Sequence, residues 1–269
     1  MTHSPPWGYY AALHADKAAS IIDAVPIAYL PWGALEWHGP HLPLGTENYI
    51  AEAFVERLAQ RVGGLIFPTT WLPITAMPHR FSISIRSDIL HELWDALFAE
   101  MARIGFQVAV VISGHASPAH ELVLIDAAER AISTHHLNVL AVSPLAFIDP
   151  TMHDHAAHWE TALMLALQPQ LTALERLDGL DLTLENSGII GDNPLLATVG
   201  QGESALRLAT ERLAVSIHAL LDQDSQTILN ELYHRRRNFY NSYVNDFFRG
   251  SWEESAAAWW RQSLKGNGE

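Results

Sequence analysis

The stretch Val108-Ala109-Val110-Val111-Ile112-Ser113-Gly114-His115 decides the architecture. Five apolar residues, four of them β-branched, run without a polar partner face. That is the pattern of a strand buried on both sides, as at the centre of a parallel sheet. The strand delivers Ser113-Gly114-His115, and Ser117-Pro118 then occupy the cap and first-turn positions of a following helix. Outward from it, Ile27 to Pro31 reads as a second buried strand ending in Trp32-Gly33, and Val139 to Val142 as another. Ile50, Ala51, Phe54, Val55 and Leu58 recur at helical spacing before Gly63-Gly64, and Leu65-Ile66-Phe67 reads as a strand stopped by Pro68. Leu90, Leu93, Trp94, Leu97, Met101 and Ile104 make the apolar stripe of a helix capped by Ser87 or Asp88 and ended by Gly105. Strands alternating with helices imply an α/β fold, a parallel sheet covered on both faces, with ligands held beyond the carboxyl ends of its strands.

Chemistry-bearing residues gather at those ends. Glu36, His38, His41 and Glu47 put two carboxylates and two imidazoles within twelve residues just after the first strand. Residues two apart in an extended segment point the same way, so Glu36 and His38 face one pocket. Glu47 opens a helix, where the backbone dipole favours a carboxylate. His115 leaves the neighbouring strand. A second group, His153-Asp154-His155-Ala156-Ala157-His158-Trp159-Glu160, leads into a helix expected from about Ala156 to Leu167. A lone loop histidine is ordinarily just solvated, but such a set at strand ends and helix starts suits a divalent transition metal. By position His155 serves equally as ligand or as general acid/base.

Composition narrows the rest. The 269 residues contain no cysteine, so metal ligation falls to nitrogen and oxygen. The formal net charge of -14 argues against nucleic acid and anionic membranes as partners. No apolar run reaches the ~18 residues of a membrane span, and Met1 to Tyr10 holds two prolines rather than a leader's apolar region. A cytoplasmic protein is expected. Leu206 to Leu221 reads as a helix, and residues 226 to 262 as further helix, rich in aromatics and interrupted by Arg235-Arg236-Arg237. The expected division is an α/β domain over 1–224 and a helical extension over 225–269, the latter either packed on its own domain or serving as a subunit contact.

The first cluster resembles the leading signature of the creatininase family, Pro-x-Gly-x-x-Glu-x-His-Gly-x-His-Leu-Pro-x-x-x-Asp. Here it reads Pro31-Trp32-Gly33-Ala34-Leu35-Glu36-Trp37-His38-Gly39-Pro40-His41-Leu42-Pro43-Leu44-Gly45-Thr46-Glu47. Ser113-Gly114-His115 resembles a Gly-His turn of that family, and His155 to Thr161 its His-Ala-Gly-x-x-Glu-Thr segment. Gly188 to Thr198 resembles a downstream Gly-x-x-Gly-Asp-Pro-x-x-Ala-Thr stretch. The resemblance spans about residues 27 to 220.

It implies a three-layer αβα fold and a creatinine amidohydrolase-like metal hydrolase acting on a non-peptide, cyclic-type amide C–N bond. It implies one or two divalent ions, zinc or manganese, on Glu36, His38, Glu47, His115 and Glu160. His155 is then the acid/base with Glu160 beside it; Trp37, Trp159 and His158 are candidates for substrate contact. The partners implied are a small-molecule amide and further copies of the chain, as a homo-oligomer, commonly a hexamer. The chain departs from the pattern at Glu47, where the family has aspartate, and at Ala116-Ser117-Pro118, where the family has glycine and asparagine or glutamate. It departs again at His79-Arg80-Phe81-Ser82-Ile83, and at Ala157 and His158. These departures favour a second reading, an inactive relative that binds a small molecule with one metal or none. Two further readings remain: a barrel-type hydrolase using His153-Asp154-His155, and a structural subunit with surface histidines.

Overall fold

The computed structural model describes residues 4–221 and 225–265. Its centre is a five-stranded sheet, all parallel: β1 (Trp7–Tyr9), β2 (Ile27–Trp32), β3 (Gly64–Ile66), β4 (Val108–Ser113) and β5 (Asn138–Val142), in the order β1-β3-β2-β4-β5. Every residue of β2 and β4 is buried, which is why both read as unbroken apolar runs. The edge strand β1 is an addition to the sequence expectation. Three residues after two prolines carry too little pattern to announce a strand, and pairing with β3 alone makes it one.

The helices are α1 (Ala15–Ala24), α2 (Thr46–Val62), α3 (Ser87–Ile104), α4 (Pro118–His135), α5 (Pro144–Ile148), α6 (His158–Leu167), α7 (Leu184–Ser187), α8 (Val199–Leu221), α9 (Ser225–Phe239), α10 (Asn241–Phe247) and α11 (Trp252–Lys265). Helices α2, α6 and α8 pack together on one face of the sheet; α3, α4 and α9 cover the other. The result is the expected three-layer α/β/α arrangement, with an open sheet rather than a closed barrel. The apolar stripe of α3 holds, with Leu90, Trp94, Phe98 and Met101 buried and Gly105 left-handed at its C-terminus. Its cap differs. Arg86 occupies the N-cap position without a side-chain bond, and the Ser87 N–H instead donates to Glu253 Oε1 at 2.6 Å, across 166 positions.

The C-terminal segment is three helices rather than one. Chain direction changes at Tyr240 and again at 248–251, where Gly250 is left-handed. The arginine run interrupts nothing: it lies inside α9, with Arg236 paired to Glu121 and Arg237 to Asp126 and Glu129, all on α4. Leu229, Leu232 and Tyr233 of α9 are buried in the common core. The Tyr233 hydroxyl donates to Val139 O at 2.5 Å and accepts from Ala141 N–H at 3.2 Å. It thereby satisfies outward-facing backbone groups of β5, which would otherwise be an open edge.

Candidate metal centre

Two strand ends and one helix start build the floor of the site. Beyond β2 the chain passes Gly33 and runs on to Glu36 and His38; beyond β4 it passes Gly114 to His115. Glu47, in the first turn of α2, sits between them. A Cβ at Gly114 would run into the backbone and Cβ of Glu47, and one at Gly33 into Asn48 and the Glu47 carbonyl carbon. Both strand ends therefore close on the helix terminus only because these positions lack side chains.

Glu36, His38 and Glu47 are almost wholly buried, and with His155 they offer one ligand atom each, all within 4.8 Å of one another. Glu36 Oε1 accepts the Met77 N–H at 2.5 Å. Its Oε2 lies 3.0 Å from His115 Nδ1 yet has no hydrogen-bond partner. His115 Nδ1 is also 3.0 Å from Glu47 Oε1, and its Nε2 donates to Ile74 O at 3.0 Å. His38 repeats the scheme: Nδ1 donates to its neighbour's carbonyl, Glu36 O, at 2.9 Å. Its Nε2 is left without a hydrogen-bond partner, 3.4 Å from Glu160 Oε2 and 3.8 Å from Glu47 Oε1. In both rings one nitrogen is committed to a carbonyl and the other is turned to carboxylates, the arrangement that prepares an imidazole for a metal. Glu47 belongs to both groups, and its Oε2 is likewise buried without a partner.

Three buried polar atoms without partners in one cluster, on Glu36, His38 and Glu47, are costly unless something satisfies them. A divalent cation fits this donor set of nitrogens and carboxylate oxygens. The charge balance agrees. Burial alone would push His38 down, but Glu160, Glu47 and Glu36 outweigh it and raise it to about 10. Burial likewise pulls His115 down, but Glu47 and Glu36 outweigh it and raise it well above its usual value. Burial tends to raise Glu36 and Glu160; His115 for the first and His38 for the second bring each below its usual range.

His155 is half-buried. Its backbone makes a two-bond bridge with Ile190, Nε2 is 2.9 Å from Trp37 O, and its ring centroid is 4.3 Å from that of His38. Ala156 follows with φ +51, a left-handed conformation rare for alanine. Its N–H donates to Glu160 Oε2 at 2.6 Å, which pins that carboxylate. Asp154 accepts the Trp159 and Glu160 N–H groups and so caps α6 from outside the helix, while burial, then Glu160, pushes its pKa well up. That use, in an open sheet, is at odds with the barrel-type reading of His153-Asp154-His155. The crowded histidines are also not surface groups: His38, His41 and His115 are each 3% exposed or less.

The hollow above this floor has a volume of about 300 Å³. Glu36, Glu47, His115, His155 and Glu160 line it, with Thr75, Ser117, Ile190, Tyr243, Trp259 and Trp260 among the remainder. Ser117 is the N-cap of α4 and bonds Thr75 Oγ1 at 2.8 Å, so Ala116-Ser117-Pro118 replaces a glycine turn by a capped helix start. Thr75 holds φ +60, which no local sequence signal announced. Ala157 has φ -107, so nothing at that position requires glycine.

Trp37, Trp159 and His158 lie outside the lining. The Trp37 ring is stacked on His79 at 4.5 Å and pressed over Gly188, where a Cβ would strike it. Trp159 packs against the core and sits 5.0 Å from His158. The aromatic wall comes instead from Tyr243, Trp259 and Trp260. Nothing in the sequence ties Trp259 and Trp260 to the site; their helical spacing with Trp252 and Ala256 is the signal it offers.

Comparison with known proteins accords with this geometry. A family model described as "Creatininase: Creatinine amidohydrolase" matches residues 11–217. A creatinine amidohydrolase of Pseudomonas putida is 27% identical over 176 residues, 56% of this chain and 68% of that protein. A mycofactocin precursor peptide peptidase of Mycolicibacterium smegmatis is 26% identical over 220 residues, 72% of this chain and 85% of that protein. The crystal structure of a creatinine amidohydrolase (creatininase) superposes with a TM-score of 0.69 at 22% identity, covering 80% of this chain and 97% of that one. Solved creatininases of similar likeness include a Zn–Zn type and a Mn form.

Proposed function

This chain belongs to the creatininase family, and from that premise we propose that it is a metal-dependent hydrolase of a non-peptide, cyclic-type amide C–N bond. The observation that carries the reading is the buried convergence of Glu36, His38 and Glu47, each with a partnerless atom and with ligand atoms within 4.8 Å of one another. Glu36, His115 and Glu47 would hold one ion, and His38, Glu160 and Glu47 a second, Glu47 being shared. When bound, zinc or manganese there polarises a carbonyl oxygen and makes water acidic enough to ionise near neutral pH.

The remaining work falls to the chain. Burial of the floor excludes bulk water and strengthens every charge interaction within it. Glu160, pinned by the Ala156 N–H, keeps its carboxylate facing His38. His155 takes a proton from the attacking water and passes it to the departing nitrogen: with Nε2–H donating to Trp37 O, Nδ1 holds the lone pair that accepts and then releases it. The test pairs elemental analysis with a screen of lactams, cyclic ureas and formamides. His155→Ala is expected to lose turnover while keeping its metal; loss of metal in that variant would make His155 a ligand. A purified wild type that takes up no divalent ion at all would sink the reading.

A second reading, that the amide lies in a peptide, is favoured by one observation: the likeness to the mycofactocin precursor peptide peptidase spans more of the chain than the likeness to creatinine amidohydrolase. Peptides added to the same screen separate the two. No helix among the described residues is long and apolar enough to cross a membrane. A cytoplasmic homo-oligomer completes the proposal, and light scattering is expected to give the mass of a hexamer. The exposed Leu195, Leu196 and Val199 suit such contacts.

A further inference from the structure

The floor of the hollow belongs to residues 36–160, but one wall is supplied by a segment beyond the stretch that matches the family, which ends at residue 217. Trp252, Ser255, Ala256, Trp259 and Trp260 recur at helical spacing and form the inward face of α11; Glu253, Glu254, Ala257, Arg261 and Gln262 are exposed. Small residues at 255 and 256, both buried, let the helix come close. Its N-terminal end is anchored twice. Glu253 accepts the backbone N–H of Ser87 at the start of α3, and Trp252 packs on the core and against Phe248 at 4.8 Å. The helix so fixed projects Trp259 and Trp260, edge to face at 4.6 Å, into the same 300 Å³ hollow as the carboxylates, with Tyr243 of α10 beside them. Burial raises the Tyr243 hydroxyl to about 12, so this wall is uncharged at neutral pH.

We propose that Trp259, Trp260 and Tyr243 are specificity-determining residues, forming a flat apolar wall that receives an aromatic or similarly planar apolar group carried by the amide substrate. The proposal rests on the amide-hydrolase reading of the floor. The hollow is amphipathic: charged ligand atoms on one side, two indoles and a phenol with Ala256 and Ile190 on the other. A small, wholly polar amide would leave the indoles bare. A substrate with a flat apolar body covers them while its amide meets the floor, and stacked or edge-to-face aromatic contact adds to the burial.

The test compares the full-length metal-loaded protein with its Trp259→Ala, Trp260→Ala and Tyr243→Ala variants. The probes are two matched pairs, phenyl-substituted against methyl-substituted hydantoin and N-formylphenylalanine against N-formylalanine. Metal content and melting temperature are read first. Where an alanine variant fails to fold, the phenylalanine variant replaces it and a smaller change in the same direction is expected. The expected result is a fall of at least about tenfold in the phenyl-to-methyl ratio of kcat/KM, carried mainly by KM, with metal content unchanged. An unchanged ratio, or an equal fall for both members of a pair, overturns the wall. If the wild type cleaves none of the probes, the hydrolytic reading is what has been weakened, and binding is measured by tryptophan fluorescence. Quenching by the phenyl compounds that is lost in the variants upholds the wall; wild type that binds none of them overturns it.

Discussion

The floor and the wall of the hollow are made in opposite ways. The floor comes from short loops at the ends of β2 and β4 and the first turn of α2, pressed together across glycines 33 and 114. Its geometry is forced by the sheet, and the sheet belongs to the family. The wall comes from α10 and α11, which begin more than 120 residues after His115 and are hung on the domain by a few anchors. A chemistry fixed by backbone packing can thus be combined with a pocket lining fixed by an appended helix, and the two can vary separately.

The sharpest way to break that contrast is to remove the shared carboxylate. Glu47→Ala should abolish metal retention and lower activity by more than the ~10–100-fold typical of outer-shell changes, read by elemental analysis and turnover, while the aromatic wall stays in place. Retention of both ions in that variant would refute Glu47 as the common ligand. Next in size is the link between extension and domain. Arg236 of α9 is paired with the buried Glu121 of α4, and Arg236→Ala leaves that carboxylate alone. A loss of about 3 kcal/mol is expected in denaturant unfolding. The part-exposed Arg237, changed likewise, should lose under ~1 kcal/mol.

A smaller effect concerns acid. His41 is buried, its Nε2 is 3.0 Å from Thr161 Oγ1, and burial, with His38 beside it, lowers it to about 4. Burial holds His120 well below its usual value, and its Nδ1 accepts the Ile74 N–H. Both are neutral when folded, with pKa values below those of the unfolded chain. Between pH 6.5 and about 4 the unfolded chain therefore binds more protons, and stability falls as the pH falls. On metal-free protein His41 should contribute about 3 kcal/mol of this loss, measured as a shift in unfolding midpoint that His41→Gln reduces. The smallest effect is expected at His158. It lies outside the hollow, so His158→Ala should change kcat/KM by less than ~2-fold, a surface-scale effect. A tenfold loss would mean that the lining extends further than Tyr243, Trp259 and Trp260.

Much of the floor was legible because its rules are local. An apolar run predicts a buried strand, and the strand's end fixes where Glu36, His38 and His115 go. The wall was not legible in the same way. Helical spacing at 252–260 says that one face is buried, but not against what. The indoles of Trp37 and Trp159 lie near the motif in sequence, yet Gly188 and His79 hold one away from the hollow and the core takes the other. The arginine run was opaque for a similar reason: its partners Glu121, Asp126 and Glu129 are over a hundred positions away. Thr75 and Ala156 carry left-handed backbones that their residue types disfavour, so propensity pointed elsewhere.

The hydroxyl of Tyr233, bonded to both Val139 O and Ala141 N–H, has a consequence for how copies of this chain can meet. An unguarded outer strand invites a second molecule to prolong the sheet. Here that seam is already stitched by a side chain from α9, and at the opposite margin β1 offers only three residues. Growth by strand addition is hindered at β5 and has little to hold at β1, so a multi-copy assembly is expected to use surfaces other than the sheet margins.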